Sequence, residues 1–145
     1  MLYTYVCYYL FGGKNLDHTV VHFEIPADNI KRLKSFYSEL FDWKIIHTPV
    51  EGMDYWVIHT VPTDDKGMLQ RPGVNGGMYP KQPEQKGINA VNYINVENID
   101  EYLEKVTRLD GKVLMPKQKV PSVGYIALAM DPEGNQFGLL QPEMT

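Results

Sequence analysis

Ile25-Pro26-Ala27-Asp28-Asn29-Ile30 and, 69 residues later, Ile94-Asn95-Val96-Glu97-Asn98-Ile99 are two versions of one pattern: a strand end, a polar cap and a first helical turn. The register continues beyond them. At the same spacing Ile30, Leu33, Tyr37 and Leu40 fall on Ile99, Tyr102, Val106 and Leu109, the apolar positions of two amphipathic helices. Identity is thin, with four matches in sixteen residues from Ile25 to Leu40, so the pattern repeats more than the residues do. Two units of this length nearly fill a chain of 145 residues. Neither can bury a core alone, so the two should pack together, and a cleft shared between them is the natural site.

Working outward, Thr19–Ile25 is β-branched and alternating, a strand that Pro26 should stop. Asp28 or Asn29 caps a helix running to about Phe41, with Ile30, Leu33, Phe36, Tyr37, Leu40 and Phe41 on one face. Trp43–Thr48 and Tyr55–Val61 read as strands around a turn at Glu51-Gly52. Pro62–Pro72 reads as a loop, Gly73–Tyr79 as a short glycine-rich strand and Pro80–Gly87 as the connector. In the second half Ala90–Val96 is a strand, and Asn98-Ile99-Asp100-Glu101 has the pattern of a capping box. That helix should end near Asp110-Gly111, with Gly111 as its cap. Lys112–Met115, Gly124–Met130 and Gln136–Gln141 are strands, and Asp131-Pro132-Glu133-Gly134 suits a type I turn. The fold class is therefore α+β: two tandem βαβββ modules forming curved mixed sheets around a shared cleft. Module one spans about 19–80 and module two about 88–142, within a single domain 19–145 that follows an N-terminal arm, 1–18.

With 43% hydrophobic and 22% charged residues the chain reads as soluble and globular. A formal net charge of −4, with no basic run longer than Lys31-Arg32, argues against nucleic-acid or anionic-membrane partners. The single cysteine, Cys7, excludes an internal disulfide framework and fits a reducing cytoplasm. Met1–Phe11 is apolar but too short to span a bilayer, and it lacks the basic start and cleavage site of a secretory signal.

In this order the chain resembles the vicinal oxygen chelate superfamily, which holds glyoxalase, bleomycin-resistance proteins and extradiol dioxygenases. The matching residues are His22-Phe23-Glu24-Ile25-Pro26-Ala27-Asp28, Phe36-Tyr37, Leu40-Phe41-Asp42-Trp43-Lys44 and Gly76-Gly77. They continue with Tyr93-Ile94-Asn95-Val96 and Gly124, and end with Asp131-Pro132-Glu133-Gly134-Asn135-Gln136-Phe137-Gly138-Leu139. The resemblance covers roughly residues 19–142 and implies a glyoxalase-like fold and a homodimer. It leaves the chemistry open, because that fold hosts lyases, epimerases, dioxygenases and non-catalytic drug binders.

Metal-using members of that family place one His, Gln or Glu on the first and last strand of each half, around a divalent ion. Here the first position falls on His22, its repeat partner on Val91 and the last-strand position of the second half on Gly138. In the first half the last-strand position lies somewhere in Gly73–Tyr79, which has no Asp, Glu or His and only the weak donor Asn75. A transition-metal site generally needs three or more good side-chain ligands. The expectation is no cofactor, and no metal bound in the family manner.

On a strand alternate side chains share a face. His22 and Glu24 should then look into the cleft, with Val21, Phe23 and Ile25 under the helix. Val91, Tyr93 and Asn95 take the corresponding face of the second half, and Gly138 and Leu140 face inward from the last strand. Trp56 is a candidate floor for an aromatic-lined pocket, and equally a core residue. The expected ligand-binding set is His22, Glu24, Trp56, Tyr93, Asn95 and Leu140, and His22 and Glu24 are the catalytic candidates. A His and a Glu two apart are a common coincidence, so a satisfied polar pair ranks ahead of catalysis. His47 and His59 read as structural or exposed, Trp43 as packing, Cys7 as unreactive, and Gly76-Gly77 as a close backbone approach.

The first reading is a cytoplasmic protein of the bleomycin-resistance type that holds a small organic molecule in a metal-free cleft. The rival is a glyoxalase-related lyase or dioxygenase-type oxidoreductase with an irregular Zn, Ni, Fe or Mn site. That site would use His22, Glu24 and a further group such as His59. A third reading is metal-free acid–base catalysis through His22.

Overall fold

The computed structural model describes residues 17–50, 52–84 and 89–143. The elements run β1 (Val20–Ala27), α1 (Ile30–Phe41), β2 (Lys44–His47), β3 (Trp56–His59) and β4 (Gly76–Pro80) in the first half. In the second half they are β5 (Val91–Asn95), α2 (Ile99–Arg108), β6 (Lys112–Val120), β7 (Gly124–Met130) and β8 (Gln136–Pro142). The expected arm, residues 1–18, lies almost wholly outside the described residues.

All the strands join one mixed sheet in the order β2-β3-β4-β1-β5-β8-β7-β6. Each half is the mirror order of the other, with β1 parallel to β4 and β5 parallel to β8. The halves meet where β1 and β5 run antiparallel, pairing His22 with Tyr93, Phe23 with Asn92 and Glu24 with Val91. Phe23 and Asn92 are repeat mates 69 residues apart, so the pseudo-twofold passes through that pair.

Both helices are capped by the repeated asparagine. The Asn29 Oδ1 accepts from the Arg32 amide at 2.9 Å, and the Asn98 Oδ1 accepts from the Asp100 and Glu101 amides at 3.0 and 3.4 Å. The C-terminal ends differ from expectation. The left-handed residue after α2 is Asp110 (φ 65°), not Gly111, and Asp42 (φ 56°) takes the same role after α1. Aspartate tolerates that conformation better than most L-residues do.

The helices bury separate cores on one side of the sheet. Ile30, Leu33 and Tyr37 of α1 pack on Ala27, Ile45, Ile58 and Met78, while Ile99, Tyr102 and Leu103 of α2 pack on Val96, Ala127 and Leu139. The stripe on α1 is only partly covered, because Phe36, Leu40 and Phe41 are exposed. A third cluster, Val21, Val91, Tyr93, Val123 and Leu140, lies on the opposite face at the seam between halves.

Three local readings are corrected. Val21 packs with the seam cluster instead of under α1, because the ladder gains an extra residue between Val20 and His22. Such a bulge re-aims a side chain across the sheet. Pro26 does not end β1, which pairs Pro26 with Tyr79 on β4. Its pairing with β5 has already stopped at Glu24, so no partner there requires the missing amide. Finally, β6 runs through Pro116 to Val120, which an edge strand with two register shifts permits. Among the described residues no helix is long and apolar enough to cross a membrane.

If the repeated caps hold the helix starts, Asn98→Ala should lower stability by about 1 kcal/mol. Ile99→Ala should cost roughly 2–5 kcal/mol, since Ile99 is wholly buried. Urea unfolding followed by circular dichroism measures both.

Candidate functional site

Strand alternation on β1 turns His22 and Glu24 to the seam face, away from the helices. From β3 the residue that joins them is Tyr55, which precedes the strand and is 3% exposed. The Tyr55 hydroxyl donates to Glu24 Oε1 at 3.2 Å, and the Tyr93 hydroxyl donates to Glu24 Oε2 at 3.2 Å. With its one proton committed to Glu24, the Tyr55 oxygen receives a hydrogen bond from His22 Nε2 at 3.1 Å. His22 Nε2 also lies 3.7 Å from Glu24 Oε1, and its ring sits 5.8 Å from that of Tyr93. Both carboxylate oxygens thus act as hydrogen-bond acceptors.

Glu24 and Tyr93 are themselves repeat mates. The pseudo-twofold that sets β1 against β5 therefore brings together two residues that sequence spacing alone keeps 69 apart. Burial raises the pKa of Tyr55 well above the ordinary phenol value of 10.0, with Tyr79 adding to the effect. Burial likewise raises Tyr93, and the charge and hydrogen bond of Glu24 raise it further. Both phenols are proton donors here, not phenolates.

These four polar side chains form one wall of a cavity of about 100 Å³. Val50 and Met53 of the hairpin turn close it on one side, and Val120, Val123, Ile126 and Leu140 of the second half close the other. Both halves of a single chain therefore supply its walls. The space equals roughly three water molecules, against about 300–1,000 Å³ for a drug-sized ligand. It admits a molecule of a few heavy atoms, or one end of a larger one.

A model of the glyoxalase/bleomycin resistance protein/dioxygenase superfamily matches residues 17–139. The chain belongs to this superfamily. It is 32% identical over 120 residues to a glyoxylase-like domain-containing protein of Didymella fabae, covering 80% of this chain and 88% of that one. It is 29% identical over 115 residues to the putative glyoxylase CFP32 of Mycobacterium bovis, of whose length the chain spans only 40%. Methylmalonyl-CoA epimerase from Mycobacterium tuberculosis shares the fold, with a TM-score of 0.58 at 10% identity over 85% of this chain and 87% of that one.

The superfamily's divalent metal does not suit the residues present. The parallel pairs Tyr93–Gly138 and Glu24–Gly77 are equivalent by the repeat, so the ligand position left open in the first half is Gly77. The four positions carry His22, Gly77, Val91 and Gly138. The space over both glycines is filled: a Cβ at Gly77 would overlap the Tyr55 hydroxyl, and one at Gly138 would overlap the Tyr93 ring. The Asn75 Oδ1 is engaged by the Thr60 and Val61 amides at 2.8 and 3.1 Å. Among the described residues no three His, Cys, Asp or Glu side chains converge. Protonated phenols are poor substitutes for carboxylate or imidazole ligands.

His22, Glu24, Tyr93 and Leu140 meet at the cavity as the sequence suggested. Trp56 does not. It faces the α1 core and stacks on His47, with ring centroids 4.5 Å apart, because Tyr55 takes the cavity side of the alternation. Asn95 is fully buried with neither side-chain amide atom hydrogen-bonded among the described residues, and it does not line the cavity. His59 stands two residues beyond Val57, which pairs with Gly77, which pairs with Glu24. His59 does not line the cavity and, among the described residues, forms no cluster with His22 and Glu24, so it does not complete that set. Sequence reading missed Tyr55, whose role depends on the β3–β4 register.

Gly77→Ala should destabilise by about 1–3 kcal/mol, and less in a Tyr55→Leu background, because the two changes share one space. Unfolding free energies of the four variants in the cycle test this. The raised phenol values also fix the alkaline behaviour. Above pH 10.0 the unfolded chain releases phenolic protons that the folded chain keeps. Stability should therefore fall as pH rises past that point, by up to about 1.4 kcal/mol per pH unit for each buried phenol. The slope should flatten in Tyr93→Phe.

Proposed function

We propose that this protein binds a small organic molecule in the seam cavity without a metal, using Glu24 to receive a hydrogen-bond donor from it. The carrying observation is the single carboxylate held by Tyr55 and Tyr93 at one wall of an otherwise apolar space. A compact apolar body with one hydroxyl, amide N–H or ammonium group matches that wall. A carboxylate oxygen that already accepts one hydrogen bond keeps a second lone pair with which to accept from such a group.

The experiment is a thermal-shift screen of small alcohols, amides and amines. A binder at a hundred times its Kd should add about 2.7 kcal/mol to stability. Its affinity should fall at least about tenfold in Glu24→Gln, as expected for the loss of a charge-assisted hydrogen bond. A library with no stabilising member, or an unchanged affinity in Glu24→Gln, would overturn the reading.

One observation favours a second reading, acid–base catalysis without metal. The chain His22 Nε2 to Tyr55 to Glu24 is a continuous hydrogen-bonded route along which a proton can pass. His22→Ala separates the two: loss of turnover with affinity kept favours catalysis, and loss of affinity alone favours binding. The lyase or dioxygenase reading with an irregular metal site requires stoichiometric Zn, Ni, Fe or Mn in the purified protein. A homodimer follows from family resemblance, and light scattering should give twice the protomer mass of 16.7 kDa.

A further inference from the structure

A second cleft of about 460 Å³ lies at the β2 end of the sheet, where the seam cavity's polar residues contribute nothing. Its lining brings together Lys44, His59 and Arg71, with the threonines Thr48, Thr60 and Thr63 around them. The β2–β3 ladder sets Lys44 directly opposite His59. Side chains so placed have Cβ atoms about 4.5–5.5 Å apart, and like charges there oppose one another.

Among the described lining residues two cations, Lys44 and Arg71, stand against one carboxylate, Asp42. Among the described residues neither Lys44 nor Arg71 has an ion-pair partner. Among the described residues Asp42 is the one carboxylate in the lining, and it forms no ion pair with either. Burial first, and then the charge of Lys44 opposite, lower the pKa of His59. This local surplus of positive charge stands in a chain whose net charge is −4. The surroundings are also fixed in shape. The Asn75 side chain, 3% exposed, clasps the backbone of Thr60 and Val61, and the Thr60 hydroxyl donates to the Val74 carbonyl at 2.7 Å.

We propose that this cleft is a binding site for a small oxyanion-bearing molecule, a phosphate or carboxylate held by Lys44 and Arg71 with His59 beside them. Guanidinium and ammonium groups are the side chains that recognise such anions, Arg71 by its planar fork and Lys44 as a point charge. A volume of about 460 Å³ falls in the range of small-molecule sites, so the anion can carry an organic body. The site is independent of the seam cavity and of its Glu24 carboxylate.

The test titrates the full chain with inorganic pyrophosphate and, separately, with succinate, at constant ionic strength. Two readouts serve: calorimetric affinity and the His59 ring proton shifts. Saturable binding should move the His59 titration midpoint upward, because the anion offsets Lys44 and Arg71 where Asp42 does not. Lys44→Gln and Arg71→Gln should each weaken binding by at least about tenfold. Lys31→Gln on α1 should leave it unchanged. The stronger of the two probes assigns phosphate or carboxylate as the natural group. Absence of saturable binding by either probe would overturn the proposal. So would equal weakening in Lys31→Gln, or a His59 midpoint that does not move in the wild-type chain.

Discussion

The antiparallel seam between β1 and β5 is the constraint from which the rest follows. It joins two small half-sheets into one, and it does so about the Phe23–Asn92 pair, so that repeat mates meet across it. Neither half offers enough apolar area to stand alone, as each helix covers only one small cluster. The seam adds the third cluster, and with it the cavity. Glu24 and Tyr93 are hydrogen-bonded because the pseudo-twofold makes them neighbours.

On that seam, glycine and tyrosine act as a unit. Gly77 and Gly138 stand at the positions where metal-using relatives place ligands, and each lies beneath a tyrosine that a β-carbon would displace. At each of these positions the absence of a side chain and the presence of a tyrosine share one space, once in each half. The space beside them is small and largely apolar, with one carboxylate held by two phenols. Membership of the superfamily accounts for the scaffold and leaves the chemistry to the residues placed on it.

The sheet also separates its charges. The seam cavity presents Glu24, whereas the cleft at the β2 end presents Lys44 and Arg71. The two spaces share no lining residue and differ in the sign of the charge they present.

What the sequence determined by itself was the periodic part. The 69-residue repeat, the Asn29 and Asn98 caps, the two helices and the inward direction of His22, Glu24, Tyr93 and Leu140 all follow from local spacing. The empty ligand positions Val91 and Gly138 were legible for the same reason. The tertiary structure decided what depends on register between distant strands. It set Tyr55 instead of Trp56 at the cavity, made Gly77 the fourth ligand position and placed His59 beside Lys44. It also turned Val21 through a bulge that no pattern in Thr19–Ile25 announces. Alternation along a strand is a local property of the backbone, whereas the residue opposite is chosen by global packing.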